Sequence, residues 1–129
     1  MNQPMTAPTG LQILVVDDVA INRVLACALL TRLGHQVHEA DGGQAAIDWL
    51  NSHPPVDVML LDISMPDLNG EEVCRQLRTD PAHDRLKIVA YTAHAASHDG
   101  ARYLANGFDA VLVKPISMKT LNDTIAALF

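Results

Sequence analysis

Ile13-Leu14-Val15-Val16-Asp17-Asp18 sets four consecutive apolar residues directly against two acids. An apolar run without polar alternation is the mark of a strand covered on both faces, as in a parallel sheet. The pattern recurs. Val56 to Leu61 is a second run, broken only by Asp57, and Leu86 to Tyr91 and Ala110 to Val113 add two more. His35-Gln36-Val37-His38-Glu39-Ala40 differs, because its polar and apolar residues alternate. That suits an edge strand with one solvated face.

The segments between these runs are amphipathic at helical spacing. Ile21, Val24, Leu25, Ala28 and Leu29 form the apolar stripe of a first helix, with Gly34 as the residue that closes it. Ala45, Ala46, Trp49 and Leu50 mark a second helix, and Val73 and Leu77 a third after an Asn69-Gly70 turn. Ala101 and Leu104 sit in a fourth closed by Asn106-Gly107, and Leu121, Ile125 and Leu128 in a fifth. Strand and helix alternating five times predict an α/β fold: a doubly wound five-stranded parallel sheet, right-handed crossovers, helices on both faces.

Bulk properties narrow the function. The chain has 129 residues, 49% hydrophobic and 19% charged, which describes one globular domain needing no metal or disulfide staple. A formal net charge of −6 argues against a nucleic-acid binder, which needs clustered Lys and Arg. Cys27 and Cys74 match neither a CxxC motif nor a zinc knuckle and are expected as reduced, buried thiols. Residues 1–10 carry no basic residue and no apolar core of a leader, so a flexible polar tail is expected before a domain over 11–129. No run approaches the ~20 apolar residues of a membrane span, and a cytoplasmic location is expected.

Chemistry follows from what ends each apolar run. Counted as strands, with the alternating segment second, the first ends in Asp17-Asp18, the third in Asp62, the fourth in Thr92, and the fifth in Lys114-Pro115. Open parallel sheets bind ligands at the carboxyl ends of their strands, so three carboxylates, a hydroxyl and an ammonium should converge on one crevice. Three carboxylates a few ångströms apart repel unless a cation sits among them. Oxygen ligands with no His or Cys favour a hard ion such as Mg²⁺, which also takes water and phosphate oxygens. A phosphoryl group beside that ion accounts for Lys114 as its counter-charge and Thr92 as a hydrogen-bond donor. Asp62, alone at its strand end, is the natural nucleophile for an aspartyl-phosphate.

The same residues carry a resemblance. Val16-Asp17-Asp18, Leu61-Asp62-Ile63-Ser64-Met65-Pro66-Asp67-Leu68-Asn69-Gly70, Tyr91-Thr92-Ala93 and Val113-Lys114-Pro115, in this order and with helix-sized gaps, resemble the CheY-like receiver domain of two-component response regulators. The match runs over about residues 11 to 129. It implies the flavodoxin-like strand order 2-1-3-4-5, which agrees with a polar second strand at an edge. It implies Asp62 as the phosphoacceptor, Asp17 and Asp18 as Mg²⁺ ligands (one through water), and the Ser64 main-chain carbonyl as a further ligand. Thr92 becomes the switch hydroxyl and Lys114 the bridge to the phosphoryl group, and the Lys114-Pro115 bond is often cis in this family. The partners implied are a sensor histidine kinase or histidine phosphotransfer domain and a downstream effector protein. The resemblance implies a signalling switch rather than an enzyme, one able to catalyse its own phosphorylation and dephosphorylation.

Other readings stand beside these. A lone Asp18 after a strand reads as a helix N-cap; Asp17, Asp62, Thr92 and Lys114 together favour a site. His94 and His98 are four apart, but no third ligand accompanies them, and exposed histidines on a polar face are expected. His35, His38, His53 and His83 read as turn or edge residues, Asp41, Asp67 and Asp109 as turn formers, and Met65 and Met118 as packing or loop residues. Many receivers have an aromatic residue three before the lysine, where this chain has Val111, so the usual swinging ring is missing. Ser64 and His94 stand two after Asp62 and Thr92, at positions that influence phosphate lifetime in the family. Asn22-Arg23 and Leu33-Gly34-His35 resemble receivers attached to hybrid sensor kinases, and the chain is expected either to act alone or to be a fragment. A docking module that is never phosphorylated would have lost an acid or the lysine. A small Mg²⁺-dependent phosphohydrolase of haloacid-dehalogenase type would want an acid in place of Ser64.

Overall fold

The computed structural model describes residues 8–93 and 97–129, and the side chains of 97–99 fall outside that description. His94 therefore lies outside the described residues, as do the side chain of His98 and residues 1–7 of the tail expected over 1–10. Five parallel strands, β1 (Gln12–Val16), β2 (Gln36–Ala40), β3 (Val58–Asp62), β4 (Lys87–Thr92) and β5 (Ala110–Val113), form one sheet in the order 2-1-3-4-5. The helices are α1 (Ala20–Arg32), α2 (Gly43–Ser52), α3 (Gly70–Arg78), α4 (Ser97–Ala105) and α5 (Met118–Leu128). A short 3₁₀ turn over Pro81–His83, which the sequence reading did not anticipate, precedes β4.

Two apolar layers flank the sheet. Leu14, Met59, Leu61 and Ile88 pack with Ala46 and Leu50 of α2, Val73, Cys74 and Leu77 of α3, and Tyr103 of α4. On the opposite face Ile13, Val15, Leu60 and Val89 meet Ala26 and Leu30 of α1 and Leu121 and Ile125 of α5. Truncating a fully buried residue such as Leu14 should cost about 2–5 kcal/mol. β2 is an edge strand, as its alternation predicts, with Gln36 and Glu39 exposed and Ala40 buried. Gly34 and Gly107 close α1 and α4 at φ +93° and +104°, a backbone region that side-chain-bearing residues enter at a cost.

Some helix faces differ from expectation. Ile21 is 74% exposed, Val24 61% and Leu25 46%, while Ala26 and Leu30 supply the inward contacts of α1. A helix with apolar residues on every side satisfies more than one helical phase, and the packing against β1 and α5 selects a phase the stripe does not reveal. Leu104 and Ala101 of α4 likewise face outward, and Tyr103 is buried edge-on against Phe108. Asn69 is not part of a turn but the N-cap of α3, accepting from the Glu72 N–H at 2.9 Å. Cys74 is buried and Cys27 half-buried; both are free thiols, pushed up to about 11 mainly by burial.

Three residues read as turn or edge formers hold elements together instead. Asp67 accepts from the N–H groups of Gly43 and Gln44 at 3.4 and 3.3 Å and so caps α2 from the β3–α3 loop. Asp109 takes Arg78 Nη2 at 2.7 Å and the Ile88 N–H at 2.8 Å on one oxygen. His35 is buried, with Nδ1 accepting from the Leu11 N–H at 3.3 Å and Nε2 without a partner among the described residues. Met65 is a packing residue, as expected.

Candidate functional site

The residues that end β3 or directly follow β1 and β5 line one pocket at the carboxyl edge of the sheet. A carboxylate oxygen from each of Asp17, Asp18 and Asp62 lies within 4.8 Å of the others. The Asp17 side chain is fully buried and Asp62 nearly so, whereas Asp18 is exposed at the rim. Lys114 Nζ enters from β5, 3.2 Å from Asp17 Oδ2 and 3.5 Å from Asp62 Oδ1. Thr92 is buried at the end of β4, one residue beyond the Asp62–Tyr91 register pair. Its carbonyl accepts from the Lys114 N–H at 2.8 Å, fixing where the lysine leaves β5. The Lys114-Pro115 peptide is cis.

Local bonds aim the acids. Asp17 Oδ1 accepts from the Val19 N–H at 2.9 Å, and the Asp17 N–H donates to the Ala40 carbonyl at 3.2 Å. Asp62 Oδ1 accepts from the Ser64 N–H at 3.2 Å. The N-cap of α1 is Val19 with no side-chain bond, so Asp18 is not a cap and its carboxylate is left for the pocket. Gly70 opens α3 against the end of β3: a Cβ there would lie 2.9 Å from Ile63 Cα, closer than packed atoms approach. That contact tethers the loop bearing Ser64, since the Gly70 N–H also donates to the Ile63 carbonyl at 3.0 Å.

The pocket is short of positive charge. Burial pushes Asp62 up to about 6; Lys114 pulls it down, Asp17 pushes it up again, and the Ser64 N–H lowers it. Burial, then Asp17 and Asp62, push the Tyr91 hydroxyl up to about 12. Tyr91 also lies under the lysine, with Nζ 4.3 Å from its ring centroid, a contact of the order of 1–2 kcal/mol when desolvated. Nothing in an apolar run marks its tyrosine as the floor of a cation site. An oxygen-only donor set with one ammonium against three carboxylates fits a hard divalent cation.

Two of the three sequence-predicted residue types thus meet in space: the carboxylates of Asp17, Asp18 and Asp62 and the ammonium of Lys114. Ser64 is exposed in the loop after β3, with its N–H on Asp62. Val111 is half-buried and packs against the α2–α3 face of the core, so no ring stands at that position.

A doubly wound sheet with aspartates and a lysine gathered at its carboxyl edge defines a class of signalling domain. Residues 13–126 match the response regulator receiver domain family, to which the chain belongs. It is 36% identical over 117 residues to the aerobic respiration control sensor protein ArcB of Escherichia coli, covering 90% of this chain and 15% of that protein. It is 34% identical over 116 residues to the sensor histidine kinase RcsC of Salmonella typhimurium, covering 90% of this chain and 12% of the relative. The chain therefore spans a small part of the length of these relatives. The structure is similar to the chemotaxis protein CheY4 of Vibrio cholerae, with a TM-score of 0.86 at 25% identity over 94% of this chain and 100% of that one. The chain is a receiver domain of two-component systems. Among the described residues no helix is long and apolar enough to cross a membrane.

Proposed function

We propose that residues 11–129 form a phosphoacceptor switch in which Asp62 takes a phosphoryl group from a histidine kinase or phosphotransfer domain in a Mg²⁺-dependent reaction, in the cytoplasm. The observation that carries this reading is the meeting of Asp17, Asp18 and Asp62 within 4.8 Å with Lys114 3.5 Å from Asp62 Oδ1. In the transfer an Asp62 oxygen forms a P–O bond as the donor's P–N bond breaks, and the imidazole nitrogen keeps the bonding pair. Held at about 6, Asp62 is mostly ionised at neutral pH and able to attack. Asp17, Asp18, Asp62 and the Ser64 carbonyl would hold Mg²⁺, which when bound neutralises the carboxylates and the incoming phosphoryl oxygens.

Lys114 pairs with Asp17 and Asp62 before transfer and offers its ammonium to a phosphoryl oxygen afterwards. Thr92, buried at the next strand end, is the hydroxyl that answers the new charge. The donor's approach is over α1, where Val19, Ile21, Val24 and Leu25 present an apolar face that begins one residue from Asp18. Such a face suits an apolar helical surface around a donor histidine. Incubation with acetyl phosphate tests the reaction: Mg²⁺ should permit uptake of one phosphoryl group, and EDTA should block it. Uptake at full rate in excess EDTA would remove the metal from the proposal.

A further inference from the structure

Arg23 touches the acidic turn from outside the pocket. Its Nη1 donates to the main-chain carbonyl of Asp17 at 2.8 Å, and its Nε donates to Glu39 Oε1 at 3.2 Å. That carbonyl belongs to the peptide joining Asp17 to Asp18, so the bond fixes the plane from which both carboxylates project. The Arg23 side chain is 19% exposed and lies between α1 and the edge strand β2, while Glu39 is 50% exposed. The two arms of one rigid guanidinium thus tie the turn to β2, a geometry that a single-pronged ammonium does not reproduce. Of the other bonds on this turn, those from the Val19 N–H and Lys114 end on the Asp17 carboxylate itself, and the Asp17 N–H donates to the Ala40 carbonyl of β2, which leaves Arg23 as the partner of the carbonyl side of the Asp17–Asp18 peptide.

We infer that Arg23, held by Glu39, is a positioning residue that sets the aim of Asp17 and Asp18 and thereby the affinity of the pocket for Mg²⁺; this rests on the metal-dependent reading above. Charge and geometry make opposite demands here. A cation beside an acidic metal site repels Mg²⁺, so charge alone predicts tighter binding when Arg23 is neutralised and no change when Lys replaces it. Positioning predicts weaker binding in both cases, because both substitutions lose the fork. Outer partners that orient metal ligands are typically worth about 10–100-fold in affinity, and a bond to the main chain belongs at the lower end, about tenfold.

The test is calorimetric titration of Mg²⁺ into the wild type, Arg23→Gln, Arg23→Lys and Glu39→Gln, with acetyl phosphate uptake measured across Mg²⁺ concentrations. Both Arg23 variants should bind Mg²⁺ about tenfold more weakly and Glu39→Gln about twofold more weakly. Uptake at saturating Mg²⁺ should return to within about twofold of wild type. A purely structural role would lower the melting temperature and leave the Mg²⁺ affinity of the folded protein in place. Unchanged affinity in Arg23→Lys, or tighter binding in Arg23→Gln, overturns the inference; should Arg23→Gln not fold, Arg23→Lys and the exposed Glu39→Gln decide it. Failure of the wild type to bind Mg²⁺ would instead strike the proposed function.

Discussion

Lys114 Nζ lies 3.2 Å from Asp17 Oδ2, joining the end of β5 to the end of β1 across the two strands between them. The same ammonium reaches Asp62 at 3.5 Å and covers the Tyr91 ring, so one cation balances two buried carboxylates and an aromatic face. Removing it leaves the carboxylates to repel one another in a partly dry pocket.

Lys114→Gln should therefore destabilise the metal-free domain by about 1–3 kcal/mol at neutral pH. The deficit should shrink at pH 5, where Asp62, held at about 6, is largely protonated. Thermal melts of both proteins at the two pH values check this. An equal deficit at both would mean that the lysine stabilises by packing alone.

Asp62 gives the stabilisation by Mg²⁺ a pH dependence. A carboxyl raised in the folded state favours folding most below its unfolded value of about 3.9, and that contribution is lost as pH rises through about 6. A divalent cation removes the repulsion. The melting-temperature gain from Mg²⁺ should thus be larger at pH 7.5 than at pH 5, and it should fall sharply in Asp18→Ala.

Much of this architecture was legible in the sequence because the sheet is covered on both faces. Four apolar runs and one alternating strand placed every strand to within two residues, and the residues ending those runs marked the pocket. The phase of α1 was not legible, since Ile21, Val24 and Leu25 satisfy helical spacing as well as Ala26 and Leu30 do. Nor were the roles of Asp67, Asp109 and Tyr91, whose partners lie between 21 and 31 residues away and are set by tertiary packing.

His35 titrates in the opposite sense to Asp62. Burial lowers it, so the stability its neutral form provides is present above its unfolded value of about 6.5 and is lost as pH falls from there through its lowered folded value. In an Asp62→Asn background, which silences the competing group, stability should fall between pH 7 and pH 5. Adding His35→Gln should flatten that slope, as urea unfolding at each pH would record.

Two glycines should respond in opposite directions to alanine. A Cβ at Gly100 of α4 meets nothing within 4 Å, so Gly100→Ala should stabilise the domain by about 0.5–1 kcal/mol. A Cβ at Gly70 runs into the backbone at the end of β3, and Gly70→Ala should destabilise by several-fold more. Urea unfolding ranks the two variants against wild type.

The central claim is that Asp62 is the phosphoryl acceptor, and intact-mass measurement after incubation with acetyl phosphate and Mg²⁺ tests it most directly. The wild type should gain the mass of one phosphoryl group, mapped to Asp62 by reductive trapping, and folded Asp62→Ala should gain none. Uptake by Asp62→Ala at the wild-type rate would contradict the account.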